Sequence, residues 1–182
     1  MNKFIMLTAA GPDRPGIVSR ISRVLFDTGC NIEDTSMTLL RGEFAMMLIV
    51  RLGPGISIRG LEKRLKPVQK TLRLSLLIKP LSAKEVRRGE TLKGRPYILS
   101  VYGADHPGIV YTITRLLAAR GVSITDMNTR VIGPKTRPVY VMILEVRVPS
   151  KTSKPALRSE LRKISKTMKV DLTLHPVESA RL

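Results

Sequence analysis

The sequence repeats itself once. Gly11-Pro12-Asp13-Arg14-Pro15-Gly16-Ile17-Val18 returns as Gly103-Ala104-Asp105-His106-Pro107-Gly108-Ile109-Val110, at an offset of 92 residues. The same offset pairs Ile21 with Ile113, Arg23 with Arg115, Leu25 with Leu117, Gly29 with Gly121, Ile32 with Ile124 and Asp34 with Asp126, with no gap. An ungapped match of this length marks a duplication, and its period is too long for a solenoid. The 182 residues therefore hold two domains of about 90 residues, and any fold assigned to one half must suit the other. A domain this small buries only roughly two-thirds of its unfolded surface, so covering by a partner is expected.

Each half reads as strand, helix, strand, strand, helix, strand. The first strand is Phe4–Ala9 or Tyr97–Tyr102. The helix that follows is expected to begin at Pro15 or Pro107, because proline suits a first helical turn. Its apolar stripe is Ile17, Ile21, Val24, Leu25 in one copy and Ile109, Ile113, Leu116, Leu117 in the other, the spacing of one helix face. Gly29 and Gly121 end these helices. Strands over residues 31–40 and 44–52, or 123–132 and 139–148, are joined by Arg41-Gly42 or by the longer Gly133 to Pro138 connection. A second helix carries Leu61, Leu65, Val68, Leu72, or Leu157, Leu161, Ile164, Met168. Pro67 is expected to kink or shorten the first of these. Last strands cover residues 74–78 and 170–174, where the offset has grown to 96. This order predicts an α+β fold: two βαββαβ modules, each a four-stranded antiparallel sheet with two helices on one face. The third strands are apolar on consecutive positions, as in Phe44-Ala45-Met46-Met47-Leu48, so both of their faces are expected to be buried, one of them by the sister domain or a second chain. The domains are placed at 1–81 and 96–182, and the polar stretch 82–95 is read as a linker.

Composition narrows the classes. No stretch reaches the roughly 20 apolar residues of a spanning helix, and Met1–Ala10 is too short an apolar run for a signal peptide, so it is read as a strand. A single cysteine, Cys30, fits a reducing cytoplasm and is expected to pack as a small apolar group. His106 and His175 have no Cys or carboxylate at ligand spacing, so neither a metal site nor a cofactor is expected, and His106 is read as a loop residue near solvent. The net charge of +18, from 32 basic and 14 acidic residues, favours acidic partners.

The candidate site is the turn between first strand and first helix: Asp13, Arg14, Pro15, Gly16 and Ile17, and Asp105, His106, Pro107, Gly108 and Ile109. Backbone N–H groups at a helix N-terminus can hold a carboxylate, and glycine lets a ligand approach them. Asp13 and Asp105 either accept from an ammonium group or simply cap their helices; the residues alone leave both readings open. The start of the second strand, Asn31-Ile32 or Ser123-Ile124, is placed at the same edge, with Asp34 and Asp126 on the opposite side of the strand. A carboxylate and an ammonium together are the chemistry of an α-amino acid.

The pattern Asp-x-Pro-Gly-Ile-Val, then a helix ending in Gly, then Asn/Ser-Ile-x-Asp resembles the ACT domain. The resemblance covers both repeats. It implies ferredoxin-like modules that bind amino acids or related effectors and regulate enzymes or transcription. Two such modules resemble the glycine-cleavage-system transcriptional repressor group; formyltetrahydrofolate deformylases carry a similar module before a catalytic domain to which nothing here corresponds. The resemblance implies a non-catalytic regulator, a small amino-acid effector of glycine or serine type held between modules, and a protein partner such as a transcription regulator; the apolar third strands add the expectation of a homodimer. The ligand positions it implies are Asp13 to Ile17 with Asn31 and Ile32, and Asp105 to Ile109 with Ser123 and Ile124. Copy two departs from the pattern at His106 and Ser123, which implies an altered or empty pocket.

The alternative is a nucleic-acid-binding protein on the same fold. RNA-recognition modules stack bases on aromatics of the first and third strands. Aromatic residues are 4% here with no Trp, although Phe4, Phe44, Tyr97 and Tyr140 lie on those strands. The basic residues gather instead on the second helices, at Lys63, Arg64, Lys66, Lys70 and at Arg158, Arg162, Lys163, Lys166.

Overall fold

The computed structural model describes residues 4–90, 93–134, 136 and 138–177. The chain divides into two compact units, Met1–Thr91 and Leu92–Leu182. The first contains β1 (Phe4–Pro12), α1 (Ile17–Asp27), β2 (Asn31–Leu40), β3 (Glu43–Arg51), α2 (Ile58–Leu72), β4 (Ser75–Leu81) and α3 (Ala83–Glu90). The second contains β5 (Arg95–Ala104), α4 (Ile109–Ala119), β6 (Ser123–Ile132), β7 (Val139–Val148), α5 (Lys154–Met168) and β8 (Val170–Pro176). The strand orders are β2-β3-β1-β4 and β6-β7-β5-β8, and the neighbours described pair antiparallel.

The core of each unit lies between sheet and helices. In the first, Ile5, Leu7 and Ala9 of β1 and Phe44, Met46, Leu48 and Val50 of β3 pack with Ile17, Ile21 and Leu25 of α1 and Leu61, Leu65 and Leu72 of α2. In the second, Leu99, Val101, Met142, Leu144 and Val146 pack with Ile109, Ile113, Leu117, Leu157 and Leu161. Each such side chain gains about 1.5–3 kcal/mol over exposure. The apolar helical stripes read from the sequence are these buried faces.

Four local expectations are corrected. The third strands alternate: Met46 and Leu48 are buried while Met47 between them is 52% exposed, and Met142 and Leu144 flank Ile143 at 40%. The helices cover one face only, and consecutive apolar residues reflect apolar groups on the open face as well. Pro15 and Pro107 precede helices that begin at Ile17 and Ile109. α2 runs unbroken through Pro67, which sits at an exposed position while Leu61, Leu65 and Leu72 hold the helix to the core. Finally, the stretch read as a linker folds over Ala83–Glu90. Its start is a reciprocal cap: the Glu85 N–H donates to Ser82 Oγ (3.2 Å), and the Ser82 N–H donates to Glu85 Oε2 (2.7 Å).

Candidate functional site

The β1–α1 and β5–α4 turns each end on a glycine in the left-handed region. Gly16 has φ 95° and Gly108 has φ 97°, and each is the N-cap of its helix with no side-chain cap bond. Glycine is required because such a φ places an L side chain in strain. The first helical bonds are Arg20 N–H to Gly16 O (3.0 Å) and Thr112 N–H to Gly108 O (2.9 Å). The N–H groups of Val18 and Ser19 precede that first bond, as do those of Val110 and Tyr111, and α1 carries no acidic residue in its first turn.

Of the two readings for Asp13 and Asp105, helix capping is excluded. Both lie three residues before the N-cap, so neither caps its helix. Asp13 is exposed, and its N–H donates to the Gly42 carbonyl at 2.9 Å, tying the turn to the β2–β3 hairpin. Arg14, Pro15 and Gly16 are exposed, whereas Ile17 and Ile109 are 2% exposed and belong to the core. Their side chains anchor the turn rather than line it.

In copy two the turn borders an open cavity of about 440 Å³, lined by Asp105, His106, Pro107, Gly108, Ile109, Val110, Tyr111 and Tyr140. The copy whose sequence departs from the pattern thus has a formed cavity. Tyr140 was missed as a lining residue because it lies on β7, 35 residues from Asp105, and only the sheet brings them together. Burial pushes its phenol up from the ordinary range. His106 is a half-buried residue of the loop before α4. Its Nε2 lies 2.9 Å from the Met168 carbonyl at the end of α5 and its Nδ1 3.1 Å from the Pro107 carbonyl. The Met168 carbonyl, followed by that of Pro107, holds the imidazole above its usual range.

The structure separates the two halves of the expected site. Asn31 pairs with Arg51, and Arg51 pairs with Phe4 at the start of β1. The Asp13 turn follows Pro12 at the other end of that strand. Eight strand steps of about 3.3 Å put the two about 26 Å apart within one module. Ser123 and Asp105 are separated in the same way, since Ser123 pairs with Arg147 opposite Pro96. The reason is topological: α1 and α4 cross the whole module before the next strand starts.

A second correction concerns Asp34 and Asp126. The ladder skips Glu33 and Thr125, so Asn31 and Asp34 oppose Arg51 and Ile49, and Ser123 and Asp126 oppose Arg147 and Glu145. These bulges bring each Asp to the same face as the Asn or Ser that opens its strand. Around Asn31 the structure assembles a cluster that sequence spacing did not indicate. Asn31 Nδ2 donates to Glu33 Oε1 (3.0 Å), and Arg51 Nε donates to the same oxygen (2.6 Å). These bonds, Asn31 first, hold the Glu33 carboxyl below the usual range. Asn31 and Arg51 open onto a cavity of about 880 Å³ bounded by the Gly53-Pro54-Gly55 loop and Arg59. Cys30 beside it packs against the core and accepts from the Gly53 N–H at 3.5 Å. Among the described residues no His, Cys, Asp and Glu group could hold a metal, and no helix is long and apolar enough to cross a membrane.

Two βαββαβ units, each with two helices on one face of a four-stranded antiparallel sheet, define a tandem pair of ferredoxin-like modules. Residues 3–79 and residues 97–164 each match an ACT domain, and the chain belongs to the ACT-domain family. It is 33% identical to the glycine cleavage system transcriptional repressor of Escherichia coli over 132 residues, which are 70% of this chain and 64% of the repressor. The match therefore spans somewhat under two-thirds of that relative. A UPF0237 protein of Methanopyrus kandleri is 39% identical over 74 residues, 40% of this chain and 82% of its own length. A solved structure of a Galdieria sulphuraria protein of unknown function superposes with a TM-score of 0.79 at 25% identity, covering 96% of this chain and 98% of its own.

Proposed function

We propose that this chain is a non-catalytic cytoplasmic regulator that senses a small amino acid of glycine or serine type and passes its bound state to a protein partner, a transcription regulator. The observation that carries the reading is the free N-terminal turn of α1 and α4 beside carboxylates, Asp13 and Asp105, that cap nothing. The N–H groups suit the ligand carboxylate and the Asp suits its ammonium. The 26 Å between that turn and Asn31 means that a ligand using both must lie where two modules meet. A homodimer supplies such meetings, and the open sheet faces, with Leu40 67% and Leu77 62% exposed, supply apolar surface for it. Membership of the ACT family and the identity to the E. coli repressor support the regulatory role.

The test is a thermal-shift screen of the twenty amino acids with light scattering on the same samples. Glycine or serine should raise Tm in a concentration-dependent way, because a ligand that binds only the folded state stabilises it. No shift from any amino acid at 10 mM (about 3000 times the tightest expected Kd) sinks the sensing role, and a mass near 20 kDa at every concentration sinks the dimer.

A further inference from the structure

The net charge of +18 is not absorbed by the sensing role, and the structure shows where part of it goes. On α2, Arg59, Lys63, Lys66 and Lys70 recur at steps of four, three and four, and Arg73 follows at the C-cap. Each precedes by two residues a member of the row Leu61, Leu65, Val68, Leu72 that faces the core. Two residues are about 200° of helix, so this basic row points straight out. All five side chains are exposed. The three ion pairs among the described residues, Arg23–Asp27, Arg51–Glu33 and Arg120–Glu160, include none of them. In copy two the last three positions recur 96 residues later as Arg162, Lys166 and Lys169, again exposed.

We propose that these outward rows on α2 and α5 dock on the phosphate backbone of duplex DNA without reading its sequence. From Arg59 to Arg73 the row is about 21 Å long at 1.5 Å per residue. That length runs beside about six phosphates of one DNA strand, one per 3.4 Å. The surface excludes other polyanions. No large apolar side chain is exposed on α2 or α5, so nothing there inserts among lipids as an interfacial helix does. Single strands need aromatic platforms, and α2 and α5 carry no aromatic residue beside their basic rows. The row consists of cationic donors only, matched to phosphate oxygens rather than to base edges.

The experiment is fluorescence anisotropy of a labelled 20-base-pair DNA duplex with the full chain, from 25 to 200 mM KCl. One variant changes Lys63, Lys66, Lys70, Arg162 and Lys166 to Gln. A control removes the same charge away from the rows, at Arg20, Lys79, Lys84, Arg87 and Arg130. Circular dichroism checks that both fold. The parent should bind with a log–log salt slope steeper than about −4.5, independent of sequence. Losing five contacts should flatten the slope by about 4.5, at 0.9 per phosphate, and weaken binding at 50 mM at least tenfold, while the control keeps most of the slope. Equal losses in variant and control, no binding at 50 mM, tighter binding to RNA of the same sequence, or equally tight row-dependent binding to anionic phospholipid vesicles would each overturn the proposal. None of these outcomes bears on amino-acid binding, which rests on the N-terminal turns of α1 and α4.

Discussion

Replacing Asp13 with alanine separates a ligand contact from a helix cap, and the structure assigns each a magnitude. A capping Asp contributes about 0.5–2 kcal/mol. In a unit of this size 1 kcal/mol moves Tm by about 4–8 °C. Because Gly16 is the N-cap and the Asp13 bond to Gly42 runs through the backbone, Asp13→Ala should stay within about 0.5 kcal/mol of the parent, a shift of less than about 4 °C. Its effect on the ligand should be larger. Glycine has five heavy atoms, and at about 1.5 kcal/mol each its binding is limited to roughly 7.5 kcal/mol, a Kd of a few micromolar. A bond between charged partners contributes about 1.5–3 kcal/mol, so Asp13→Ala should weaken binding by about 10- to 150-fold. Titration calorimetry with glycine and serine measures the affinity, and scanning calorimetry the stability. Parental affinity in the variant would refute the role of Asp13 as ammonium acceptor. A Tm loss above 4 °C would refute the description of the turn.

Gly16→Val should lower stability by about 2–3 kcal/mol, read by urea denaturation, because valine at φ 95° is strained even though a Cβ there meets only Arg20 Nε and Ser19 Oγ at 3.9 Å; unchanged stability would contradict that backbone. Arg73 caps α2 at φ 56°, so Arg73→Gly should stabilise by about 0.5–1 kcal/mol, and a lower urea midpoint would count against the left-handed assignment. His106 gives a pH dependence. Both its nitrogens face carbonyls, and only the imidazolium donates to both, which raises its folded pKa. The contribution should be complete below the unfolded value of about 6.5 and vanish as pH rises through the higher folded value. The Tm gap between parent and His106→Gln should therefore be widest near pH 5.5 and close in alkali; a gap that widens with pH would reverse the sign.

The helices were legible because their apolar residues repeat with the helical period, and duplication let each copy check the other. The bulges were not. Residues 33–36 read Glu-Asp-Thr-Ser, a polar run with no apolar alternation in which a slip of one residue could show. The Asn31–Glu33–Arg51 cluster depends on that slip and on cross-strand register, so spacing alone could not gather it. The separation of Asn31 from Asp13 was available in principle, since a helix of 11 residues must carry the chain to the far end before the next strand. The helix after β4 had a signature that went unread, Ser82 three residues before Glu85.

The bulge at Glu33 also shapes how this molecule behaves in company. β2 is an edge strand with all 10 residues exposed, and such an edge is a template on which a stranger's backbone can zip. The extra residue breaks the even rhythm of donors and acceptors, so an incoming strand can follow it only over Thr35–Leu40. β6 repeats the interruption at Thr125. Duplication placed this edge twice on one polypeptide, in sheets whose other edges are β4 and β8, an arrangement that polymerises end to end if the edges remain adhesive. The same small irregularity, inherited twice, shortens both.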